Sequence, residues 1–287
     1  MDYEGRICRP PMERSSFMLG ISVGCAYNKC KFCSLFKDLK YRLLPLEQIE
    51  EELIRIHSLG GNPKKVFLGD GNALGIKMDR LTSIIKMIKE YFPNVEEINC
   101  DATITDIKCK SDKELITLSS LGVKNVYIGI EGGLDDVLLF MRKEHNMKEA
   151  RDEIKRLQKS GMIFNAHIMS GFAGKNRGIE NAIALANFLN ETKPSRITDF
   201  SMMIGDYTEL AEDVYNGLFT PASEIEKLEE SKKLVELLNI DNLIYDSFHD
   251  EIEFRVRGKL PFDKEKMIEK IDREIQKRNN IQLKDVS

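Results

Sequence analysis

Cys25, Cys30 and Cys33 fall within nine residues, in the run Gly24-Cys25-Ala26-Tyr27-Asn28-Lys29-Cys30-Lys31-Phe32-Cys33. A C-x4-C-x2-C run this short can wrap three sulfurs around one metal centre. Thiolates are the usual ligands of iron–sulfur clusters, and a four-iron cluster takes four of them. Here the run supplies three, so one iron would lack a protein ligand and could hold another molecule. A structural zinc site is tetrahedral and closed, and would need a fourth Cys or His. Cys8 and His57 could each supply it from a distance, but no second C-x2-C pair is present. A passive electron carrier would also need four ligands.

The run resembles that of the radical SAM superfamily. The commonest spacing there is C-x3-C-x2-C; this chain has one more residue in the first gap, as a subset of that superfamily does. Gly24, Asn28 and Phe32 also fit that subset. The resemblance implies a [4Fe-4S] cluster held by Cys25, Cys30 and Cys33. Its open iron would chelate the amino and carboxylate groups of S-adenosyl-L-methionine. One electron from an external donor such as flavodoxin or ferredoxin would then split a carbon–sulfur bond and release a 5′-deoxyadenosyl radical.

Composition narrows the rest. The chain has 287 residues, 42% hydrophobic, enough for one large domain. Net charge is −4 with acids and bases interleaved, which offers no broad basic field for nucleic acid. Lys29, Lys31, Lys37, Lys40 and Arg42 cluster around the cysteines, and read most simply as a solvated rim. Met1-Asp2-Tyr3-Glu4-Gly5-Arg6 has no apolar core of a signal peptide. No apolar run is long enough to span a bilayer. The expectation is a soluble cytoplasmic protein with reduced thiols.

Along the chain, residues 1–15 read as an irregular arm, because each proline of Arg9-Pro10-Pro11 restricts the residue before it. Phe17, Leu19, Ile21 and Val23 alternate, which predicts a strand running straight into the cysteine loop. Helical and strand periodicities then alternate: helices near 46–56, 81–91, 112–121, 134–160 (broken around His145-Asn146) and 179–189, strands near 64–69, 95–103, 123–130, 163–169 and 196–204. Six strands alternating with helices predict an α/β fold with a parallel sheet. A doubly wound sheet fits the rhythm as well as a barrel does. The resemblance, which spans roughly residues 3–220, implies the partial (β/α)6 TIM-like barrel. Residues 16–220 would form the barrel; beyond the resemblance, 221–287 would form a helical extension packed on it, with 239–260 an irregular polar segment.

In βα barrels ligands gather at the carboxyl ends of strands. That rule selects Asp70, Asp101, Thr103, Glu131, His167 and Asp206, among others. Gly69-Asp70 stands where the superfamily has a Gly-Gly-Glu-like turn that binds the methionyl amino group. Gly129-Ile130-Glu131-Gly132-Gly133 resembles a Gly-x-Glu-Ser-Gly motif, which implies contact of Glu131 with the ribose hydroxyls. The resemblance also implies cofactor contacts for Phe32, near the adenine, and for Arg142 of the basic pair Arg142-Lys143. Thr103 and His167 complete the expected cofactor set, although a strand histidine is more often a hydrogen-bonded core residue. Asp101, Asp206, Tyr207 and His249 are the expected substrate contacts.

Neither a tRNA-binding nor a cobalamin-binding module is recognisable, which favours a small substrate over a macromolecule. The narrowest reading is a lyase that splits queuine, a deazapurine, leaving an aminomethyl-deazaguanine. A porphyrin-related or tRNA-modifying enzyme is the alternative within the superfamily. A non-catalytic zinc or iron–sulfur protein is the alternative outside it.

Overall fold

The computed structural model describes residues 8–285, so residues 1–7 of the expected arm lie outside it. The described part of the arm makes one 3-10 turn, Pro11–Glu13, whose first proline needs no amide partner. Strands and helices follow as β1 (Phe17–Gly20), β2 (Ser22–Val23), β3 (Arg42–Leu43), α1 (Leu46–Ser58), β4 (Lys65–Gly69), α2 (Met78–Tyr91), β5 (Glu97–Ala102), α3 (Ile104–Lys108), α4 (Asp112–Ser120) and β6 (Val123–Glu131). Then come α5 (Asp135–Phe140), α6 (Met147–Lys159), β7 (Ile163–Ser170), α7 (Gly178–Thr192), β8 (Arg196–Ser201), α8 (Glu209–Tyr215), α9 (Glu224–Leu237), β9 (Ile244–His249), β10 (Phe254–Lys259) and α10 (Lys264–Asp285). Two compact units result. One holds the described residues through Ile128 with Asp152–Phe164; the other holds Gly129–Arg151 with the described residues from Asn165 onward.

In the first unit β1, β4, β5 and β6 are parallel neighbours. Leu19, Leu68, Cys100 and Val126 form one register row, all essentially without solvent exposure. Such runs are expected of strands covered on both faces. Helix α2 buries Leu81, Ile84, Ile85 and Ile88 on one stripe. Each is worth about 1.5–3 kcal/mol of transfer free energy before chain entropy is charged against it. The chain breaks at Ile21, and β2 leaves the main sheet to pair antiparallel with β3. The cysteine loop, residues 24–41, is therefore the loop of a small ribbon, clamped at its two ends.

In the second unit β7, β8 and β9 are parallel and β10 runs antiparallel to β9. Two of these strands lie in the segment 239–260 that hydrophobic periodicity reads as irregular, so the extension carries strands as well as helices. For β9 the reason is polar burial. Asp199 on β8 is 1% exposed. Its Oδ1 accepts the Ser170 amide at 2.9 Å, and its Oδ2 accepts the Ser231, Tyr245 and Ser247 hydroxyls at 2.7, 2.7 and 3.1 Å. Hydrogen bonds replace apolar contacts there, and the sequence loses its strand signature.

Candidate cofactor and substrate site

Three segments of the first unit meet at the carboxyl edge of its sheet: the cysteine loop, the turn after β4 and the end of β5. Cys25, Cys30 and Cys33 are all part-exposed. Asn28 sits in the first gap at φ 44, in the left-handed region that Asn tolerates. Its amide donates to the Phe36 carbonyl at 2.7 Å, and the Lys37 ammonium donates to the Asn28 carbonyl at 3.0 Å. The extra residue of the gap is thus absorbed by a folded-back loop.

The turn after β4 packs directly on that loop. At Gly71 (φ 45) a β-carbon would stand 2.6 Å from the Gly24 carbonyl oxygen and 2.8 Å from the Cys25 Cα. Only glycine allows that approach. Next to it, Asn72 is 5% exposed. Its Oδ1 accepts the Ala26 amide at 3.0 Å, and its Nδ2 donates to both Asp106 oxygens at 3.1 Å. Asp106 in turn accepts the Thr103 amide at 2.7 Å, while the Thr103 hydroxyl accepts the Asp106 amide at 3.2 Å. Thr103 is therefore the N-cap of α3, and its hydroxyl oxygen serves that capping box. Asn72 and Asp106 escape a reading by strand ends; the Thr103-x-x-Asp106 spacing is the signal that marks the second.

Asp70 and Asp101 carry the unusual electrostatics. Each has a buried Oδ1 with no hydrogen-bond partner among the described residues. The Asp70 carboxyl is pushed up to about 6 by burial, against the opposing pull of backbone N–H groups of Cys8 and Gly71. Burial lifts Asp101 well above the carboxylate range, and the charges of Asp70 and Glu13 lift it further. Glu13, 4% exposed, accepts hydrogen bonds from Ser16, Asn99 and Tyr127, so its own demand is met. The Cys8 thiol is pushed up to about 12, by burial first and then by the charges of Asp101, Asp70, Cys33 and Cys25. The arm thus lays a fourth thiol within electrostatic reach of the loop. Among the described residues no three His, Cys, Asp or Glu side chains converge on a point that one metal ion could fill. A tetrahedral ion demands that convergence, whereas a four-iron cluster takes one thiolate per iron. Part-exposed thiols, a glycine cradle and unsatisfied carboxylate oxygens fit a bulky cluster with an amine-bearing ligand beside it.

In the second unit β6 ends on Glu131, at φ 62. Its carboxylate lies 3.4 Å from the Lys143 ammonium, with side chains 14% and 6% exposed. Burial raises the Glu131 carboxyl above its usual range, and Lys143 opposes that rise. The partner of Glu131 is Lys143 rather than Arg142, which turns outward at φ 54 and pairs with Glu209. The glycines after Glu131 also have a reason: a β-carbon at Gly132 would meet Phe172 at 2.7 Å, and one at Gly133 would meet the Leu185 amide at 2.5 Å. A serine has no room at Gly132.

His167 on β7 packs edge-on against Phe200 at 5.7 Å, and burial pushes its imidazole down to about 4, so it is neutral. Asp206 is exposed and Tyr207 is 96% exposed, so neither is held in a pocket of this unit. His249 is 0% exposed and lies 3.4 Å from the Ser231 hydroxyl and 3.8 Å from a Glu224 carboxylate oxygen.

With this geometry in place, residues 19–186 match the Radical SAM superfamily. The chain belongs to that superfamily. It is 21% identical over 196 residues to the heme chaperone HemW of Buchnera aphidicola, covering 65% of this chain and 50% of HemW. It is 24% identical over 119 residues to the tRNA uridine(34) acetyltransferase of Methanocaldococcus jannaschii, covering 41% of this chain and 22% of that protein. This radical SAM chain therefore spans half or less of the length of these curated relatives. Among solved structures, coproporphyrinogen III oxidase (HemN) from Escherichia coli aligns with a TM-score of 0.61 at 15% identity, over 77% of this chain and 51% of that one. Methylornithine synthase (PylB) aligns with a TM-score of 0.54 at 15% identity, over 79% of this chain and 64% of that one. At these identities the likeness is one of fold, the α/β radical SAM fold. The superfamily's cofactors are a [4Fe-4S] cluster and S-adenosylmethionine, and its members require a substrate and an electron donor. Among the described residues no helix is long and apolar enough to cross a membrane.

Proposed function

We propose that this radical SAM enzyme acts on a small molecule rich in N–H donors, and that the reaction is a lyase cleavage of a deazapurine such as queuine. The observation that carries the substrate class is Asp101, whose Oδ1 is sealed from water with no donor among the described residues. A buried carboxyl oxygen left unpaired is costly, and a ligand donor removes that cost. The amino and ring N–H groups of a deazaguanine edge are donors of that kind.

Cys25, Cys30 and Cys33 would hold the cluster, with Phe32 beside the adenine. When bound, cluster and S-adenosylmethionine supply one-electron cleavage of a carbon–sulfur bond and hence abstraction of a hydrogen atom from the substrate. Asp70, ionised above about pH 6, would accept the methionyl ammonium, a charge-assisted hydrogen bond. Asn72 fixes the loop backbone at Ala26. In the second unit Glu131, oriented by Lys143, would accept the ribose hydroxyls. Residues 16–220 are taken as the catalytic part and 221–287 as the extension. A cytoplasmic setting and a flavodoxin or ferredoxin donor complete the reading.

Calorimetry of the reconstituted enzyme with queuine tests it. Saturable binding that weakens in Asp101→Asn is expected; no binding by any deazapurine removes the substrate and leaves the radical chemistry. The similarity to HemW and to the tRNA uridine(34) acetyltransferase favours a second reading, a porphyrin-related or tRNA-modifying activity.

A further inference from the structure

Strands β8, β9 and β10 present two faces, and α9 and α10 pack on one of them. Asp199, Ser247 and Val256 form a register row on that covered face. Ser231 of α9 bonds to Asp199 there, and Val256 is 2% exposed. A β-carbon at Gly258 would meet the Met267 sulfur of α10 at 2.4 Å. Alternate residues point the other way. On that side Phe200, Phe248 and Arg255 form one row, and Thr198, Asp246 and Arg257 the next. Phe200 and Phe248 are part-exposed, although both chain neighbours of each are buried. Each stands one residue before the carboxyl end of its strand, where ligands of parallel sheets gather.

The aromatic row is a ladder. His167 of β7 meets Phe200 edge-on at 5.7 Å. The Phe200 and Phe248 rings stack at 5.7 Å with 18° between their planes. The Arg255 guanidinium lies over Phe248, 4.3 Å from the ring centroid. Because β9 lies between β8 and β10, both faces of Phe248 are taken, and the rings show their edges to solvent. Arg255 is itself held: its Nε and Nη2 donate to the Asp246 carboxylate at 2.8 and 2.6 Å. That fork occupies Asp246. Arg257 Nε stands 3.9 Å from Asp246 Oδ2, beyond hydrogen-bond length, with its side chain 60% exposed. Arg196 and Lys259 lie in the row behind, so the paired residues on this face set four cations against one carboxylate.

Ring edges are electropositive and prefer the π face of another ring. A guanidinium fork takes a carboxylate or phosphate in two parallel hydrogen bonds. We infer that this face binds a flat-ring acid, an aromatic carboxylate or phosphate, with Arg257 on the oxyanion and the edges of Phe200 and Phe248 beneath the ring. Phe200, Phe248 and Arg257 all lie beyond the residues 19–186 that match the superfamily, so the subsite belongs to this chain's own part of the sheet. It also differs in kind from Asp101 of the first unit: that carboxyl calls for a donor, whereas this face supplies donors.

Calorimetry of the reconstituted chain with naphthalene-2-carboxylate, naphthalene-2-carboxamide and decahydronaphthalene-2-carboxylate tests the inference. The aromatic acid should bind roughly tenfold or more tighter than the amide, which lacks the charge. It should bind severalfold tighter than the saturated acid, which lacks the π face. Titration with 2-naphthyl phosphate tells which of the two oxyanions fits better. Saturating S-adenosylmethionine should leave these affinities unchanged, which separates this face from the cofactor site. Arg257→Gln should load iron as the unaltered protein does and keep its affinity for the amide, but lose the preference for the acid. Equal affinity of the unaltered protein for acid and amide would overturn the inference, with no variant needed. So would an acid preference that survives in Arg257→Gln, or one that disappears when S-adenosylmethionine is added.

Discussion

The Asn72 side chain accepts the Ala26 amide at 3.0 Å, which joins the turn after β4 to the middle of the cysteine loop. Its other end holds Asp106, and through Asp106 the start of α3. Asn72→Ala removes the acceptor of a loop amide and one donor to a buried carboxylate. The expected loss of stability is about 1–3 kcal/mol, read as a lower melting temperature. Iron retained per chain after anaerobic reconstitution should fall with it. A variant that melts and loads iron normally shows that the loop holds its shape without Asn72.

Asp70 gives the site a pH signature. Its carboxyl is raised to about 6, so the free protein carries it protonated below that value and ionised above. Affinity for S-adenosylmethionine should be flat above pH 6 and decline as pH falls through it; Asp70→Asn should be weak throughout and lack that step. Stability runs the other way. A raised carboxyl binds more protons folded than unfolded, so folding is favoured at low pH and loses that advantage as pH rises from about 4 to 6. Asp70→Asn should therefore raise the melting temperature more at pH 7.5 than at pH 4. Equal melting shifts at the two pH values would remove the burial argument.

Much of the fold is legible in the chain because parallel strands covered on both faces must be apolar: the strands through Leu68 and Val126 announce themselves. Strand β9 is silent because Asp199, Ser231, Tyr245 and Ser247 satisfy one another in place of an apolar face. The same network explains His249. Seen as sequence it is a polar residue in a polar tail, yet the fold seals it inside. In the proposed site, the three cysteines are picked out by spacing alone, and Asp70 and Asp101 by their place at strand ends. Lys143 is not, because which member of the pair Arg142-Lys143 faces Glu131 depends on a backbone turn at φ 54.

The Glu131–Lys143 pair is largely buried, so breaking it is costly. Lys143→Met leaves a buried carboxylate without its cation, at a cost on the order of 3 kcal/mol. Glu131→Gln should cost less, because the neutral amide tolerates burial better. Comparable melting temperatures for the two variants would mean that the pair contributes no charge compensation.

Cys8 separates an open cluster from a closed four-thiol site. It lies within electrostatic reach of Cys25 and Cys33. Cys8→Ser should bind iron and sulfide in the same amounts as the unaltered protein, while Cys30→Ala should bind little. Loss of the metal in Cys8→Ser would make Cys8 a ligand and leave no iron free for S-adenosylmethionine.

The most direct measurement is product analysis of S-adenosylmethionine incubated anaerobically with the reconstituted, reduced protein. The account predicts 5′-deoxyadenosine from the unaltered chain and none from Cys30→Ala. A colourless protein that holds one zinc per chain and yields no 5′-deoxyadenosine would contradict it.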